Sequence, residues 1–285
     1  MPSLSAAMGR RSCKMYGTFF EMENIPFLRD IPASSLFASA QFTEALGRLI
    51  YAADNQKFAV VTGDSGCGKT TLVRKLKESL PKEKYIILYV SDSKLTPRWF
   101  YAGLLTQLGL EPRFYRGDSK RLLQKEIEII RGVQQKKVVC IVDEAHLLEK
   151  ETLEEFRFLL NYHFDSMSPM SVVLVGQTEL REQKLNLQCY AAVCQRIDIN
   201  IILKRMDRAD TGKYIAAHLA YANGRQDIFT DRAIDEIYKV SCGIPRMVNR
   251  ICEKTLMYAS QQMKRLVDEH MVQYVSEHEM LEGQV

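Results

Sequence analysis

Gly63-Asp64-Ser65-Gly66-Cys67-Gly68-Lys69-Thr70 follows the apolar run Phe58-Ala59-Val60-Val61-Thr62, and after it Leu72, Val73, Leu76 and Leu80 recur at helical intervals up to Pro81. A strand, a glycine-rich loop ending in Lys-Thr and a helix, in that order, make a phosphate-binding loop. Glycines let successive backbone N–H groups turn inward around a β-phosphate, and the following helix points the positive end of its dipole at the same anion. Residues Gly63, Asp64, Ser65, Gly66, Cys67, Gly68, Lys69, Thr70 and Thr71 are then the nucleotide contacts. Lys69 reaches the β- and γ-phosphates, and the Thr70 hydroxyl ligates Mg²⁺. Cys67 reads either as a small residue accommodated in the loop or as a thiol whose pKa a helix N-terminus lowers.

Working outward, four more short apolar runs predict buried strands: 85–90, 138–142, 171–176 and 197–203. Such runs are too short for helices and rich in β-branched residues. Helical spacing is expected over 38–53, 98–108, 119–134, 150–164 and 179–185, with Leu153, Phe156, Leu160 and Phe164 on one stripe of the fourth. Strands alternating with helices imply an α/β fold with a parallel sheet covered on both faces. From Asp207 the strand signal vanishes, and helices are expected over 207–221, 230–240, 245–262 and 268–279, with Thr230 as an N-cap. This divides the chain into a basic flexible tail, 1–15, an α/β nucleotide-binding domain, 16–205, and a helical lid, 206–285.

The candidate chemistry lies at strand ends. Asp143-Glu144 closes the strand 138–142, where ligands gather in open α/β sheets. Asp143 is placed to hold the Mg²⁺ shell and Glu144 to activate the attacking water. His146 either reads the nucleotide state or packs at a helix start. Gln177, just past the strand ending in Gly176, is placed to touch the γ-phosphate or the lytic water, or else forms a turn. Arg196 precedes the last strand, where an arginine projects toward the nucleotide of an adjoining subunit and stabilises phosphoryl-transfer charge; Arg181 is its rival. Arg246, in the helix-opening Gly243-Ile244-Pro245-Arg246, is a candidate lid arginine reaching back over the phosphates. Phe27, ahead of the first strand, either walls an adenine or packs in a core.

Composition sets bounds. The chain has 285 residues, ordinary hydrophobic and charged fractions and a net charge of +4, which permits an acidic partner without demanding one. Seven cysteines and no C-x-x-C pair fit a reducing cytoplasm better than a disulfide framework or zinc knuckle. No apolar run approaches the roughly 20 residues of a membrane span, and the first 15 residues lack the apolar core of a secretory signal.

The ordered set GDSGCGKT, VVCIVDEAH, VVLVGQTELR, QRI and GIPRMVNRICEKTL resembles the AAA+ ATPases, and within them the ExeA-like group, which includes transposition regulators of the TnsC, TniB and IstB kind. The resemblance spans roughly residues 16–279. It implies a P-loop ASCE sheet of strand order 5-1-4-3-2 with a C-terminal helical lid, and ATP with Mg²⁺ as cofactors. It assigns Gly63, Gly66, Gly68, Lys69 and Thr70 to Walker A, Asp143 and Glu144 to Walker B, Gln177 to sensor 1, Arg196 to an arginine finger and Arg246 to sensor 2. Within this likeness two functions compete. One is an ATPase that assembles with itself as a ring or filament on duplex DNA and recruits a transposase, favoured here because the chain ends after the lid without a membrane span. The alternative is an ExeA-like ATPase for secretion-system assembly, or another protein-remodelling role. A small-molecule kinase, the third class, has no use for Arg196 at a subunit edge. A DNA surface is expected at Lys94, Arg98, Arg113 and Arg116, with Lys120 and Arg121 nearby and Trp99, Phe114 and Tyr115 interleaved.

Overall fold

Five strands form one parallel sheet in the computed structural model, which describes residues 16–92, 95–159 and 168–280. They are β1 (Phe58–Gly63), β2 (Tyr85–Val90), β3 (Lys137–Val142), β4 (Ser171–Gly176) and β5 (Ile199–Leu203), in the order β2-β3-β4-β1-β5. That is the expected 5-1-4-3-2 order. Position in the sheet explains the sequence of each strand. The inner strands β1 and β4 are buried at every residue, which is why they read as unbroken apolar runs, whereas edge strand β5 alternates and exposes Asn200 and Ile202.

Successive side chains of a strand point to opposite faces, and each face here has its own helical cover. On one face Val60, Leu88, Cys140, Val172 and Leu174 pack against Phe100 and Leu104 of α3 (Pro97–Gln107), Leu123 and Ile127 of α4 (Arg116–Gly132) and Phe156 of α5 (Lys150–Leu159). On the other, Ala59, Val61, Val139, Ile141 and Val173 meet Leu49 of α1 (Ala40–Asp54) and Leu72 and Leu76 of α2 (Lys69–Ser79). Leu160 and Phe164, expected on the α5 stripe, lie outside the described residues. The expected helix 179–185 is wound as a π-turn, Leu180–Leu185, in which the Asn186 N–H donates to the Arg181 carbonyl five residues back at 2.9 Å. Turns of this kind recur at functional sites.

The described residues divide into two units. A sheet unit comprises Ala40–Ser65 and Lys69–Lys204; a helical unit comprises the residues up to Ser39, Gly66–Gly68 and those from Arg205 onward. The helical unit holds α6 (Arg208–Tyr221), α7 (Asp231–Ser241), α8 (Pro245–Gln261) and α9 (Glu269–His278). Three of their starts are fixed by side-chain caps: Asp207 accepts the Asp210 N–H, Thr230 the Ala233 N–H and Asp268 the Met271 N–H. Gly243 has φ +71°, and a Cβ there would sit 2.0 Å from the Met206 carbonyl oxygen, so only glycine opens α8 in this way.

The expected boundary of the α/β domain at residue 16 is corrected by this division. Tyr16, Phe20 and Phe27 are buried with Leu219, Ile237, Val248 and Ile251 in the helical core, so the segment before α1 belongs with the helices. Aromatic side chains of this size go where the apolar cover is. The tail 1–15 lies outside the described residues.

His218 sits in that same core. Its ring stacks on Phe27 at 5.1 Å, its Nδ1 accepts the Phe27 N–H at 3.1 Å, and burial pushes its pKa down to about 4 from the usual 6.5. The folded state therefore binds fewer protons than the unfolded chain between those values, and stability falls as pH drops through the window from about 6.5 to about 4. The full loss is about 3 kcal/mol. Urea midpoints of wild type are expected to decline across this window and those of His218→Gln to decline less; equal declines would exclude His218 as the cause.

Candidate active site

Strand β1 delivers the phosphate loop. Gly63 pairs with Leu203 of β5, and a Cβ on it would lie 2.5 Å from the Leu203 carbonyl oxygen, so sheet packing alone demands glycine there. Lys69, the first residue of α2, is buried at 8% exposure, and its ammonium donates to the carbonyls of Gly63 at 2.7 Å and Asp64 at 2.9 Å. The loop thus holds its own cation over its mouth. Thr70 follows, and its hydroxyl donates to Asp143 Oδ2 at 3.2 Å, spanning 73 residues of sequence. Thr71 is half-buried on the next position of α2.

Asp143 stands at the end of β3 with 5% exposure. Its Oδ1 accepts the Glu144 N–H at 2.9 Å, and its Oδ2 accepts both Thr70 and the Tyr89 hydroxyl, the latter at 3.0 Å. Tyr89 escaped the sequence analysis, which treated its strand as core. The signal was present: β2 and β3 pair in parallel register, Tyr89 opposite Ile141, so the end of β2 lies beside the end of β3. Burial first, and the Asp143 charge second, push the Tyr89 pKa up to about 12, so its hydroxyl stays a donor.

Glu144 occupies the left-handed region, φ 51° and ψ 34°, an uncommon place for a non-glycine residue. Strain of this kind costs about 1–3 kcal/mol and clusters at active sites. The turn tips its carboxylate outward, 47% exposed and 3.4 Å from His146 Nδ1. Gln177 follows β4 and is half-buried, with its backbone N–H directed at the same His146 Nδ1 at 3.4 Å. Gly176 makes that approach possible, since a Cβ on it would lie 3.1 Å from the His146 backbone nitrogen.

Arg196 lies between the short helix Ala191–Cys194 and β5, half-buried, its N–H donating to the Val193 carbonyl at 3.0 Å. Arg181 is exposed on the π-turn. Within the helical unit Gly66 and Gly68 have φ +84° and +93°, the backbone a phosphate loop requires, and Cys67 is buried. Arg246, in the first turn of α8, donates its N–H to the Gly66 carbonyl at 3.3 Å.

The remaining candidates separate. Phe27, considered as an adenine wall, is 3% exposed, stacked on His218 and edge-on to Phe229, so core packing is the role on view. Lys94 lies outside the described residues. Arg116 and Lys120 bind the buried Glu155 carboxylate at 3.2 and 3.1 Å, and Tyr101 donates to it at 2.6 Å, a network that neutralises a charge inside the sheet unit. Arg98 instead lies over the rings of Phe114 at 4.7 Å and Trp99 at 5.6 Å. Arg113, Phe114 and Tyr115 are exposed on the same segment.

Among the described residues no group of three His, Cys, Asp or Glu side chains can hold a metal ion by itself. One buried carboxylate and one hydroxyl, Asp143 and Thr70, are the donor set of a hard cation that takes its other ligands from phosphate oxygens and water, as Mg²⁺ does. The residues fit that ion.

Residues 52–183 match the family model described as AAA domain. The chain is similar in fold to the Aeropyrum pernix ORC2 protein, at 17% identity and TM-score 0.60 over 91% of this chain and 71% of that one. It is similar also to the Thermotoga maritima RuvB Holliday junction branch migration motor, at 19% identity and TM-score 0.57 over 83% and 67%. The chain has the AAA+ fold. The chain is similar as well to a curated relative, the General secretion pathway protein A of Aeromonas hydrophila, 33% identical over 252 residues, 86% of this chain. The chain spans 45% of that relative's length. None of the described helices is long and apolar enough to cross a membrane.

Proposed function

We propose that this chain is a Mg²⁺-dependent ATPase of the ExeA-like group that works as a self-assembly. The observation that carries the reading is the bond between Thr70 and Asp143, 73 residues apart, which joins the adjacent pairs Lys69-Thr70 and Asp143-Glu144 at the ends of β1 and β3. Bound Mg²⁺ supplies neutralisation of the β- and γ-phosphate charge. Thr70 and Asp143 hold the ion, Lys69 turns from the loop carbonyls to the phosphates, and Tyr89 keeps the Asp143 carboxylate aligned. Glu144 accepts the proton of the attacking water. Gln177 orients the γ-phosphate side of the site, Arg196 completes the site of an adjoining subunit and Arg246, whose N–H meets the Gly66 carbonyl, serves as the sensor 2 arginine. The assay is ATP turnover with Lys69→Ala as control; turnover that persists in that variant overturns the reading.

The name of the Aeromonas hydrophila relative favours secretion-system assembly or a related remodelling task over transposition regulation. A second reading, binding of duplex DNA, is supported by Arg98 and Arg113 with exposed Trp99, Phe114 and Tyr115, cations and aromatic faces that suit a phosphate backbone. If that face binds duplex DNA, log affinity falls linearly with log salt, and replacing Arg98 and Arg113 by alanine flattens the slope by about 0.9 for each phosphate no longer neutralised. An unchanged slope removes this face from any footprint. Arg116 contributes little there because Glu155 already holds it.

A further inference from the structure

His146 Nδ1 is approached from two sides by the two residues assigned to the chemistry. The Glu144 carboxylate is 3.4 Å away, and the Gln177 backbone N–H is 3.4 Å away. The imidazole is 13% exposed and hence held, while the Glu144 carboxylate is 47% exposed and has room to move. One ring nitrogen cannot serve both neighbours. With its lone pair toward Gln177 it accepts that N–H and offers Glu144 nothing; carrying its own hydrogen it donates to Glu144 Oε2 and leaves the Gln177 N–H unmet. The two arrangements exclude each other.

Resting on the ATPase reading above, we propose that His146 is a positioning residue that couples Gln177 to Glu144. It restrains the catalytic carboxylate according to where the segment after β4 stands. When Gln177 closes on Nδ1, the ring has no hydrogen to offer and the carboxylate is left undirected. When that segment withdraws, the Nδ1–H takes the carboxylate and holds it toward the attacking water. The close fit of Gly176 to the His146 backbone and the π-wound turn that follows Gln177 give the segment a defined seat next to the imidazole. The strained backbone of Glu144 points its side chain out of the strand, so a neighbour is needed to set its direction.

The test compares His146→Ala, His146→Asn and His146→Gln in steady-state ATP hydrolysis, with nucleotide binding measured separately. An asparagine amide sits near the Nδ1 position and can both donate and accept there; a glutamine amide sits nearer Nε2. Expected is a fall in kcat of about tenfold or more for His146→Ala, the size of effect a misplaced catalytic group produces. KM and nucleotide affinity should stay within about twofold, with kcat recovered by His146→Asn but not by His146→Gln. In the double variant with Gln177→Ala, whose lost amide side chain unsettles the segment that carries its N–H, the two effects should not add, because both act on the one Nδ1. Wild-type kcat in His146→Ala, equal losses in the Asn and Gln variants, or a KM that rises as much as kcat falls would overturn the proposal while wild type turns over. Wild type with no Lys69-dependent turnover overturns the ATPase reading, and this proposal with it.

Discussion

Glu144→Gln should bind ATP as wild type does and hydrolyse it about 10²–10⁴-fold more slowly, the range that removal of a positioned general base produces. Glutamine keeps the volume and the left-handed backbone of the residue but cannot accept the proton of water. The neighbouring carboxylate does not replace it, because both Asp143 oxygens are engaged by Thr70, Tyr89 and the Glu144 N–H. The measurement is ATP turnover beside equilibrium binding of a fluorescent nucleotide. Turnover within twofold of wild type excludes Glu144 as the base, and a failure to bind nucleotide shows that the substitution damaged the loop.

Arg196→Ala should lose about 10³–10⁵-fold in turnover if its guanidinium supplies the charge that an arginine finger supplies. A finger acts on a neighbour's nucleotide, so the loss is complementable. Mixing Arg196→Ala subunits, which keep an intact phosphate loop, with Lys69→Ala subunits, which keep the arginine, should restore activity that neither has alone. No recovery in the mixture, or full turnover by strictly monomeric wild type, counts against an assembly. The same mixture with Arg181→Ala distinguishes the two arginines, since Arg181 sits exposed on the π-turn and Arg196 half-buried ahead of β5.

The sheet was legible because its inner strands are apolar without interruption, and a continuous short apolar run has few other destinations. The approach of Thr70 to Asp143 was legible because Lys69-Thr70 and Asp143-Glu144, unlike Gly63, are residue types that no packing argument requires. What escaped was proximity across strands. Tyr89 reads as one more aromatic in a β-run until β2 is laid beside β3, and only then does its hydroxyl fall on Asp143. The segment 16–39 misled for the opposite reason: adjacency in sequence to β1 suggested the sheet unit, while Tyr16, Phe20 and Phe27 take their burial from α6, α7 and α8. Basic residues misled too. A sequence shows Arg116 and Lys120 as cations near aromatics, but not that one buried carboxylate, Glu155, engages both.

The backbone at Glu144 sets two demands against each other. Left-handed geometry is adopted most readily by glycine, and asparagine and aspartate tolerate it better than longer side chains do. A chain optimised only for resistance to heat would therefore be expected to carry glycine or asparagine at this position. Glutamate persists there at a conformational disadvantage, so variants selected for higher melting temperature should lose hydrolysis first at residue 144, with their sheet and loop otherwise intact.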